Sequence, residues 1–518
     1  MRSLRGCLTE YPYIMLEGMA EGWHLALTDE QVPEVVARLL AEMTDRDSLE
    51  AVVRRLSDTE REALAYVAAL GQVKAHVLQR KYGPLRRLGP GRLEWERAWQ
   101  NPVSATERLW FLGLICRGYG LDEQYHGEVF FVPPEIQSQL PPLSSPLPVF
   151  RVEPASPPPN VRDDGDALAR DAFVLLSHMR NHDVRSKKGV LVGHELARVH
   201  PRLAVQDTQR LSWLQHLCER AGWIRREGAV WQVTSQAAAW LQQGDGARRR
   251  FLYRTWLEDP HWNELCQVPG LRCEDTGWRN DPLLARRSVV EYLRQCPLGS
   301  WFTLASFVES IHEVDPDFMR PDGDYDSWYI RDVRTGQYLT GFGHWEQVEG
   351  ALVRYLLEQP LLWLGVVATG PPQNGESVTC CQVTACGAAI LGLSETKEPP
   401  EPDLRKAAQP VLVVRPDLRM ALSLQADWYD RFLLERFARW VSERRGPQGP
   451  PQPGTARLSS GGTAYYVLDS ASLRNALQRG VTLAQITAFL RRATAGRVPA
   501  PVLHTLQAWA GDGAASPR

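Results

Sequence analysis

The stretch DTQRLSWLQHLCERAGWIRREGAVWQVTSQAAAWL, residues 207–241, carries the clearest fold signal in the chain. It predicts a helix, then a β-hairpin that turns at Glu227-Gly228, and then a closing helix of small residues. Two further helical patterns, ALARDAFVLLSHM and GHELARVH, precede it. Three helices followed by a hairpin are typical of the winged helix, an elaboration of the helix-turn-helix.

Two other segments repeat this order of elements. Between residues 56 and 136, capping boxes introduce helices, and the candidate strands Ile115–Tyr119 and Val129–Val132 follow. A larger copy between residues 247 and 395 ends in a hairpin and a closing helix. The phrases VTSQAAAWL and VTACGAAIL, which close the second and third copies, indicate an internal repeat.

We therefore predict a mainly α fold with small β-hairpins (α+β), built from tandem winged-helix units and a C-terminal α/β domain. The predicted segments are an N-terminal helical segment 1–54, a first winged-helix-like unit 55–137, a Pro-rich linker 138–165, a second winged-helix unit 166–246, a larger third unit 247–395, a linker 396–407, a C-terminal domain 408–511 and a disordered tail 512–518. In the C-terminal domain we expect a long helix over Trp428–Arg444.

The composition is that of an ordinary globular protein. The formal net charge is −2, so the chain lacks the overall basic field that drives tight DNA binding, and nucleic-acid contacts must come from local patches. Nine scattered cysteines without a C-x-x-C pair predict a reducing compartment and no disulfide framework. The N-terminus lacks the apolar stretch of a signal peptide, so we predict a cytoplasmic protein that does not bind a membrane.

The C-terminal block carries a resemblance. Its phrases VLVVRPDLRM, DRFLLERFARWV, AYYVLDSASLRNALQRGVTLAQITAFLRRAT and VPAPVLHTLQAW resemble the helicase-associated domain of the XPB/Ssl2 helicases. The upstream phrases MRSLRGCL, GPGRLEWERAWQNPVSATERLWFLGLI and DPDFMRPDGDYDSWYIRD resemble long bacterial proteins that carry this domain without a helicase motor. The resemblance implies a DNA-associated role in repair, transcription or helicase assistance, with a helicase or nuclease as a possible partner in trans.

Catalytic motifs are missing from the sequence. A nucleotide-binding P-loop needs a Gly-Lys pair, and the chain contains none. The phrase GHELARVH fails as a zinc-protease motif because Arg198 stands where the second histidine is needed. The acidic loop Asp315–Asp326 lacks the glycine and glutamate of an EF-hand, so we interpret it as a solvated or capping loop, with a weak cation site or a protein-docking loop as alternatives. We predict no enzyme activity, no cofactor and no metal.

Basic residues near the predicted loops and wings are the candidate DNA contacts, since guanidinium and ammonium groups suit phosphates. The set is Lys81, Arg86, Arg87, Arg92, Arg185, Lys187, Lys188, Arg225, Arg226, Arg248, Arg249 and Arg250. The third unit's helix Trp345–Gln359 is acidic and would be repelled by phosphates, so we expect it to be structural. The second unit's wing and loop are the first place to seek DNA, and the main alternative is a protein–protein scaffold that does not bind DNA.

Overall fold

The computed structural model describes residues 2–28, 30–121, 125–143, 147–187, 190–191, 193–371, 379–394, 411–444 and 462–514. About half of the chain is helical, and the sheets are small and antiparallel, which confirms the predicted class at this level. The chain forms two compact units. The first comprises Met1–Phe150, Gly270–Asn280 and Ser310–Val348, and the second comprises Arg151–Pro269, Asp281–Glu309 and Glu349–Arg518. The predicted linker 396–407 lies outside the described residues.

The N-terminal part of the first unit is helical apart from one small sheet. Its elements are α1 Leu4–Leu8, α2 Tyr13–Gly22, α3 Val32–Thr44, α4 Arg46–Arg55, α5 Asp58–Leu70, β1 Gln72–Lys74, α6 Ala75–Tyr82, α7 Pro90–Glu96, α8 Ala105–Phe111, β2 Cys116–Leu121, β3 His126–Phe131 and α9 Pro134–Gln137. Apolar side chains of α1 to α8 form one buried core around Met19, Leu39 and Leu109. The predicted capping box at Ser57 and Glu60 is confirmed, with both of its hydrogen bonds present. At Ser104 only half of the predicted box is present: Ser104 accepts the Glu107 N–H, but the Glu107 carboxylate accepts from the Val103 N–H and from Arg86.

The middle of the chain contains two further groups of helices with short strands. The elements to residue 273 are α10 Ala167–Asn181, β4 Ser186–Lys187, β5 Val190–Leu191, α11 Gly193–Val199, α12 Thr208–Arg220, β6 Ile224–Glu227, β7 Val230–Val233, α13 Ser235–Leu241, α14 Asp245–Leu257 and β8 Leu271–Cys273. Those that follow are α15 Pro282–Arg294, β9 Phe302–Thr303, α16 Leu304–Val314, β10 Ile330–Asp332, α17 Ala351–Leu356, β11 Val367–Gly370, β12 Cys380–Val383 and α18 Ala385–Leu391. Two π-helical turns, Glu346–Gly350 and Leu357–Leu361, flank α17 and make one continuous helical segment.

Three hairpins share one strand order. The last strand of each hairpin is central and pairs with a short strand that precedes it by two or more helices: the first sheet runs β1-β3-β2 and the third runs β9-β12-β11. In the second, β7 pairs with β6 and makes a bridge to Arg185, beside β4. The same connectivity therefore occurs twice in full, and in the second hairpin the third partner is reduced to an isolated bridge.

The same glycine turn introduces each hairpin. Gly113, Gly222 and Gly365 all have φ near +70°, a backbone region that favours glycine. In each case the next residue donates its N–H to the carbonyl five residues back, which closes the preceding helix as a Schellman motif. A helix that stops on such a turn sends the chain directly into the first hairpin strand.

A threonine ends the second and third hairpins in the same way. The Thr234 hydroxyl donates to the Gly222 carbonyl at 2.6 Å and caps α13, and the Thr384 hydroxyl donates to the Gly365 carbonyl at 2.7 Å and caps α18. These threonines belong to the two Val-Thr phrases from which the repeat was predicted. Each one ties the end of its hairpin to the glycine at its start.

Part of the predicted Pro-rich linker is paired with the third sheet. Pro154 bridges to Phe302 on β9, and Arg162 bridges to Thr369 on β11. A Cβ atom at Gly370 would lie 2.5 Å from the Asn160 carbonyl, so the segment passes close over β11. Residues 151–165, which we call the strap, therefore occupy both outer edges of this sheet.

The C-terminal domain is a four-stranded sheet covered on one face by helices. Its elements are β13 Leu412–Val414, β14 Arg419–Ser423, α19 Trp428–Leu434, β15 Arg439–Arg444, β16 Thr463–Val467, α20 Ser470–Gln478, α21 Leu483–Ala493 and α22 Ala500–Ala514. The strands lie in the order β13-β14-β16-β15. The last helix ends at Ala514, inside the segment that we predicted as a disordered tail from residue 512; residues 515–518 lie outside the described part.

The predicted long helix over Trp428–Arg444 is wrong. The helix α19 ends at Leu434, and Arg439–Arg444 form a strand paired with β16. The reason is tertiary: Glu435 is buried and held by Arg202 and the Tyr466 hydroxyl, and Phe437 enters the core, so the chain turns there. Helical periodicity in DRFLLERFARWV could not reveal partners so distant in the sequence.

Seven cysteines are free thiols, but Cys266 and Cys273 are disulfide-bonded, which corrects the expectation that the chain has no disulfide. Burial raises the pKa of the Cys296 thiol to about 12, so this sulfur is unreactive at neutral pH. None of the helices in the described ranges has the length and apolar character to cross a bilayer.

Candidate nucleic-acid interface

The helix that precedes each hairpin is the element that would enter a DNA groove in a DNA-binding winged helix. In this chain all three are largely covered, with exposed residues at the ends of two of them: Thr208, Glu219 and Arg220 on α12, and Glu346 and Gln347 in the π-helical turn before α17. No residue is exposed in Ala105–Phe111 of α8, in residues 209–218 of α12 or in residues 348–361 around α17. The middle of each helix therefore cannot present side chains to base edges in this structure.

The helix α12 shows how completely this face is used inside the second unit. The Trp213 and Trp363 rings lie 5.1 Å apart, and the Gln209 amide donates to the Tyr355 hydroxyl at 3.0 Å. His216 lies 2.5 Å from the buried carboxylate of Asp259. These side chains of α12 therefore make contacts inside the second unit and are not available to contact DNA bases.

The hairpin β6–β7, in contrast, exposes most of its first strand and its turn to solvent. Arg225 and Arg226 on β6 are exposed, and Arg185, which bridges to Val230 on β7, is exposed beside them. The one carboxylate on this hairpin is Glu227, which pairs with Arg225 at 2.6 Å, with both side chains more than half exposed. Such surface pairs contribute little, so Arg225 can exchange this partner for a phosphate. Arg185 and Arg225 lie on one face of this hairpin, because Arg185 pairs with Val230, the partner of Glu227, and Arg225 stands two residues before Glu227. Arg226, which pairs with Trp231, lies on the opposite face, so the wing carries basic side chains on both faces.

Of the predicted basic residues of the first unit, one is bound inside the fold and the others are exposed to solvent. Arg86 binds the fully buried Glu107 carboxylate and the carbonyls of Ala98 and Asn101, so it is occupied in the fold and leaves the candidate set. Arg87 is 84% exposed and lies 3.5 Å from Glu128. The two remaining candidates are exposed: Lys81, whose side chain is 40% exposed, is stacked on Tyr66 and lies 3.7 Å from Glu62, and Arg92, 68% exposed, is paired with Glu96.

The three arginines Arg248–Arg250 lie in the first two turns of α14, and they differ in how far they are exposed to solvent. Arg248 is 5% exposed; its guanidinium bonds to Asp245 and to two carbonyls and lies 4.0 Å from the Trp428 ring centroid. It therefore cannot reach a phosphate and leaves the candidate set. Arg249 is half-buried, and Arg250 is exposed. Lys187 lies on β4, and Lys188 lies outside the described residues.

The acidic loop is anchored within the first unit. Asp317 is buried and accepts from Arg80 at 2.7 and 2.9 Å, from His76 at 3.0 Å and from the Tyr325 hydroxyl at 2.7 Å. Burial would raise the pKa of the Asp317 carboxyl, but these hydrogen bonds outweigh it and hold that pKa well below its usual range. Asp324 caps the turn at Ser327. No metal-binding group of side chains is present among the described residues.

Sequence reasoning missed a second basic surface, on the C-terminal sheet. Arg439 and Arg444 fall in the region predicted as helix, so their place beside Arg419 and Tyr465 on a sheet face was hidden. The segment RWVSER carries no strict alternation, since Trp440 and Val441 are adjacent and a β-bulge interrupts the pairing between Trp440 and Ser442, so its pattern gave no clear strand signal.

Comparison of the sequence with protein-family models and with curated protein sequences found no match.

Proposed function

We propose that this protein is a non-enzymatic, DNA-associated protein that binds the duplex backbone through the β6–β7 wing. On this proposal the chain consists of tandem winged-helix units followed by a domain similar to the helicase-associated domain of the XPB/Ssl2 helicases. It works in a repair, transcription or helicase-accessory context, in the cytoplasm, without a motor of its own.

The observation that supports the proposal is the exposed basic wing on a hairpin that follows a helix and a glycine turn, as the first and third hairpins do. Arg185 and Arg225 lie on one face of this hairpin and Arg226 on the other, at the element with which a winged helix would touch the phosphates beside a groove. The covered α12 supports binding without base readout, because hydrogen bonds to phosphates carry no sequence information directly.

The test is a salt titration of duplex binding. The full chain is mixed with a fluorescent 25-base-pair duplex, and anisotropy gives the affinity between 50 and 200 mM salt. We expect the triple variant Arg185→Gln, Arg225→Gln and Arg226→Gln to bind at least about tenfold more weakly at 50 mM salt. Because about 0.9 counterions are released per phosphate contact, the slope of log affinity against log salt should fall by about 2.7.

The control replaces three exposed arginines elsewhere on the chain: Arg54→Gln, Arg272→Gln and Arg294→Gln. It removes the same charge, so it separates contacts at the wing from a general loss of positive charge. Equal losses in the two triple variants, or no duplex binding by the unaltered protein at low salt, would exclude the wing as the site.

A protein–protein scaffold is the second candidate, and the three covered helices favour it. A winged helix that gives up its groove-reading surface to internal packing resembles a structural module more than a sequence reader. Its distinguishing result is stable co-purification with a helicase or nuclease by a protein that binds neither duplex nor single strand.

An ATPase assay tests the absence of a motor. Since no Gly-Lys pair exists to cradle phosphates, we expect no turnover above that of a mock preparation. Clear hydrolysis that follows the protein through purification would overturn the non-enzymatic part of the proposal.

A further inference from the structure

The C-terminal sheet has one covered face and one open face. Leu412, Met420, Leu422, Ala464 and Tyr466 point to the covered side, where they join the core formed with α20 to α22. Side chains alternate along a strand, so the residues between them point to the opposite side. That opposite side is open, with Val413 54% exposed and Val441 46% exposed.

Three arginines and a tyrosine occupy this open face. Arg419 on β14 and Arg439 on β15 both pair with Val467 of the central strand β16, so they flank that strand about 10 Å apart. Tyr465 stands two residues along β16, and Arg444 lies at the far end of β15. These four residues are among those that line a shallow groove of about 540 Å³ on this face.

The carboxylates near this face leave it basic. Asp417 lies 3.7 Å from Arg419, and both side chains are more than half exposed, so this pair is weak. Asp469 lies 3.1 Å from Arg439, but its other oxygen caps the first turn of α20, where the helix dipole offsets its charge. Glu443 points to the covered side, 2.9 Å from Arg431.

We propose that this open face binds single-stranded nucleic acid. A base unstacked from its neighbours can lie on the Tyr465 ring, while phosphates on either side meet Arg419, Arg439 and Arg444. A flat sheet face with an aromatic side chain at its centre and basic side chains around it suits this ligand, because every base offers a π-face and every linkage an anion. In a duplex the bases are stacked and paired, and so are not available to Tyr465.

This surface lies on different elements from the wing, so the inference goes beyond the proposed function and can stand without it. Together the two surfaces would suit a junction between paired and unpaired strands. The variants that test each one are separate, and so are the ligands that report on them.

The experiment measures anisotropy of a labelled 20-nucleotide oligodeoxythymidine with the full chain at low salt. We expect Tyr465→Ala to weaken binding about 5- to 30-fold, and Tyr465→Phe to restore it because the ring remains. The double variant Arg419→Gln and Arg439→Gln should reduce the salt slope by about 1.4, as expected for two contacts to a single strand. An oligouridine of equal length shows whether DNA or RNA is preferred.

Controls separate this face from other sites and from misfolding. The double variant Arg54→Gln and Arg294→Gln matches the charge change, and far-ultraviolet circular dichroism verifies that each variant is folded. The wing triple variant should bind the single strand as well as the unaltered protein. Three results would each overturn the inference: no single-strand binding, no difference between the face variants and the control, or equal competition by polyglutamate.

Discussion

Asp317 illustrates how one buried carboxylate can organise a loop. Its two oxygens accept from Arg80 and His76 on α6 and from Tyr325 across the loop, so three chain segments of the first unit meet at one charge. The acidic appearance of Asp315–Asp326 in the sequence is therefore misleading, because the residue that matters most is internal and paired.

We predict that Asp317→Asn lowers the free energy of unfolding of the first unit by about 2–4 kcal/mol at pH 7, because it leaves the Arg80 charge without its partner. The folded-state pKa of Asp317 lies below the unfolded value, so its stabilising effect is present above about pH 4 and is lost as the pH falls further. Urea denaturation at pH 7, 5 and 3, followed by tryptophan fluorescence, measures both effects.

The exposed Asp322 is the matched control, since Asp322→Asn removes a carboxylate from the same loop. We expect it to change stability by less than about 0.5 kcal/mol. A gap between the Asp317 variant and the unaltered protein that stays constant from pH 7 to pH 3 would contradict the assigned role of the carboxylate charge.

At the scale of elements, the second and third hairpins are each closed by a hydrogen bond from a threonine hydroxyl to a glycine carbonyl. We predict that Thr234→Ala and Thr384→Ala each destabilise the second unit by about 1–2 kcal/mol, because each loses a helix cap and a hydroxyl bond to Gly222 or Gly365. Replacement by serine keeps the hydroxyl and should recover most of the loss. Chemical denaturation of the four variants provides the measurement.

Thr255→Ala serves as the comparison, since that hydroxyl is exposed and bonds only within its own helix. If Thr234→Ala and Thr384→Ala are no less stable than Thr255→Ala, the hydrogen bond from the hydroxyl to the glycine carbonyl does not contribute to stability. The serine variants separate the two groups of the threonine side chain, because serine keeps the hydroxyl and loses the methyl group, whereas alanine loses both.

The sequence predicts local elements well and their partners poorly. The β6–β7 hairpin, the capping box at Ser57 and Glu60 and the repeated Val-Thr phrases follow from short-range chemistry, and the structure contains them, although the hairpin turns at Gly228-Ala229, one residue beyond the predicted position. The strand β15 was missed because burial of Glu435 against Arg202 overrides the helical pattern from more than 200 residues away. Likewise, Arg225 is exposed and Arg248 is buried, and the sequence could not distinguish them because exposure depends on tertiary packing.

At the scale of the whole molecule, covering all three groove-facing helices has a consequence for specificity. We predict that duplexes of equal length and unrelated sequence bind with affinities within about tenfold of one another, since a specific reader exceeds its non-specific affinity by about 10³ or more. Competition between a labelled duplex and unlabelled duplexes of varied sequence measures this ratio.

A duplex that competes a hundredfold better than the rest would contradict this prediction and would require one of the covered helices to become exposed on binding. The wing variant is the internal check, because loss of backbone contacts should weaken all duplexes equally. The single-strand face predicts a different pattern, in which a forked substrate competes better than either form alone.

The strap has a further consequence for how copies of this chain meet one another. An unpaired sheet edge is a ladder on which a second chain can add a strand, and stacked additions of this kind begin aggregation. Here the Pro-containing strap contacts β9 through Pro154 and β11 through Arg162, so neither edge of the third sheet is left entirely open. The segment that the sequence predicts to be a linker therefore blocks strand addition at both edges of this sheet.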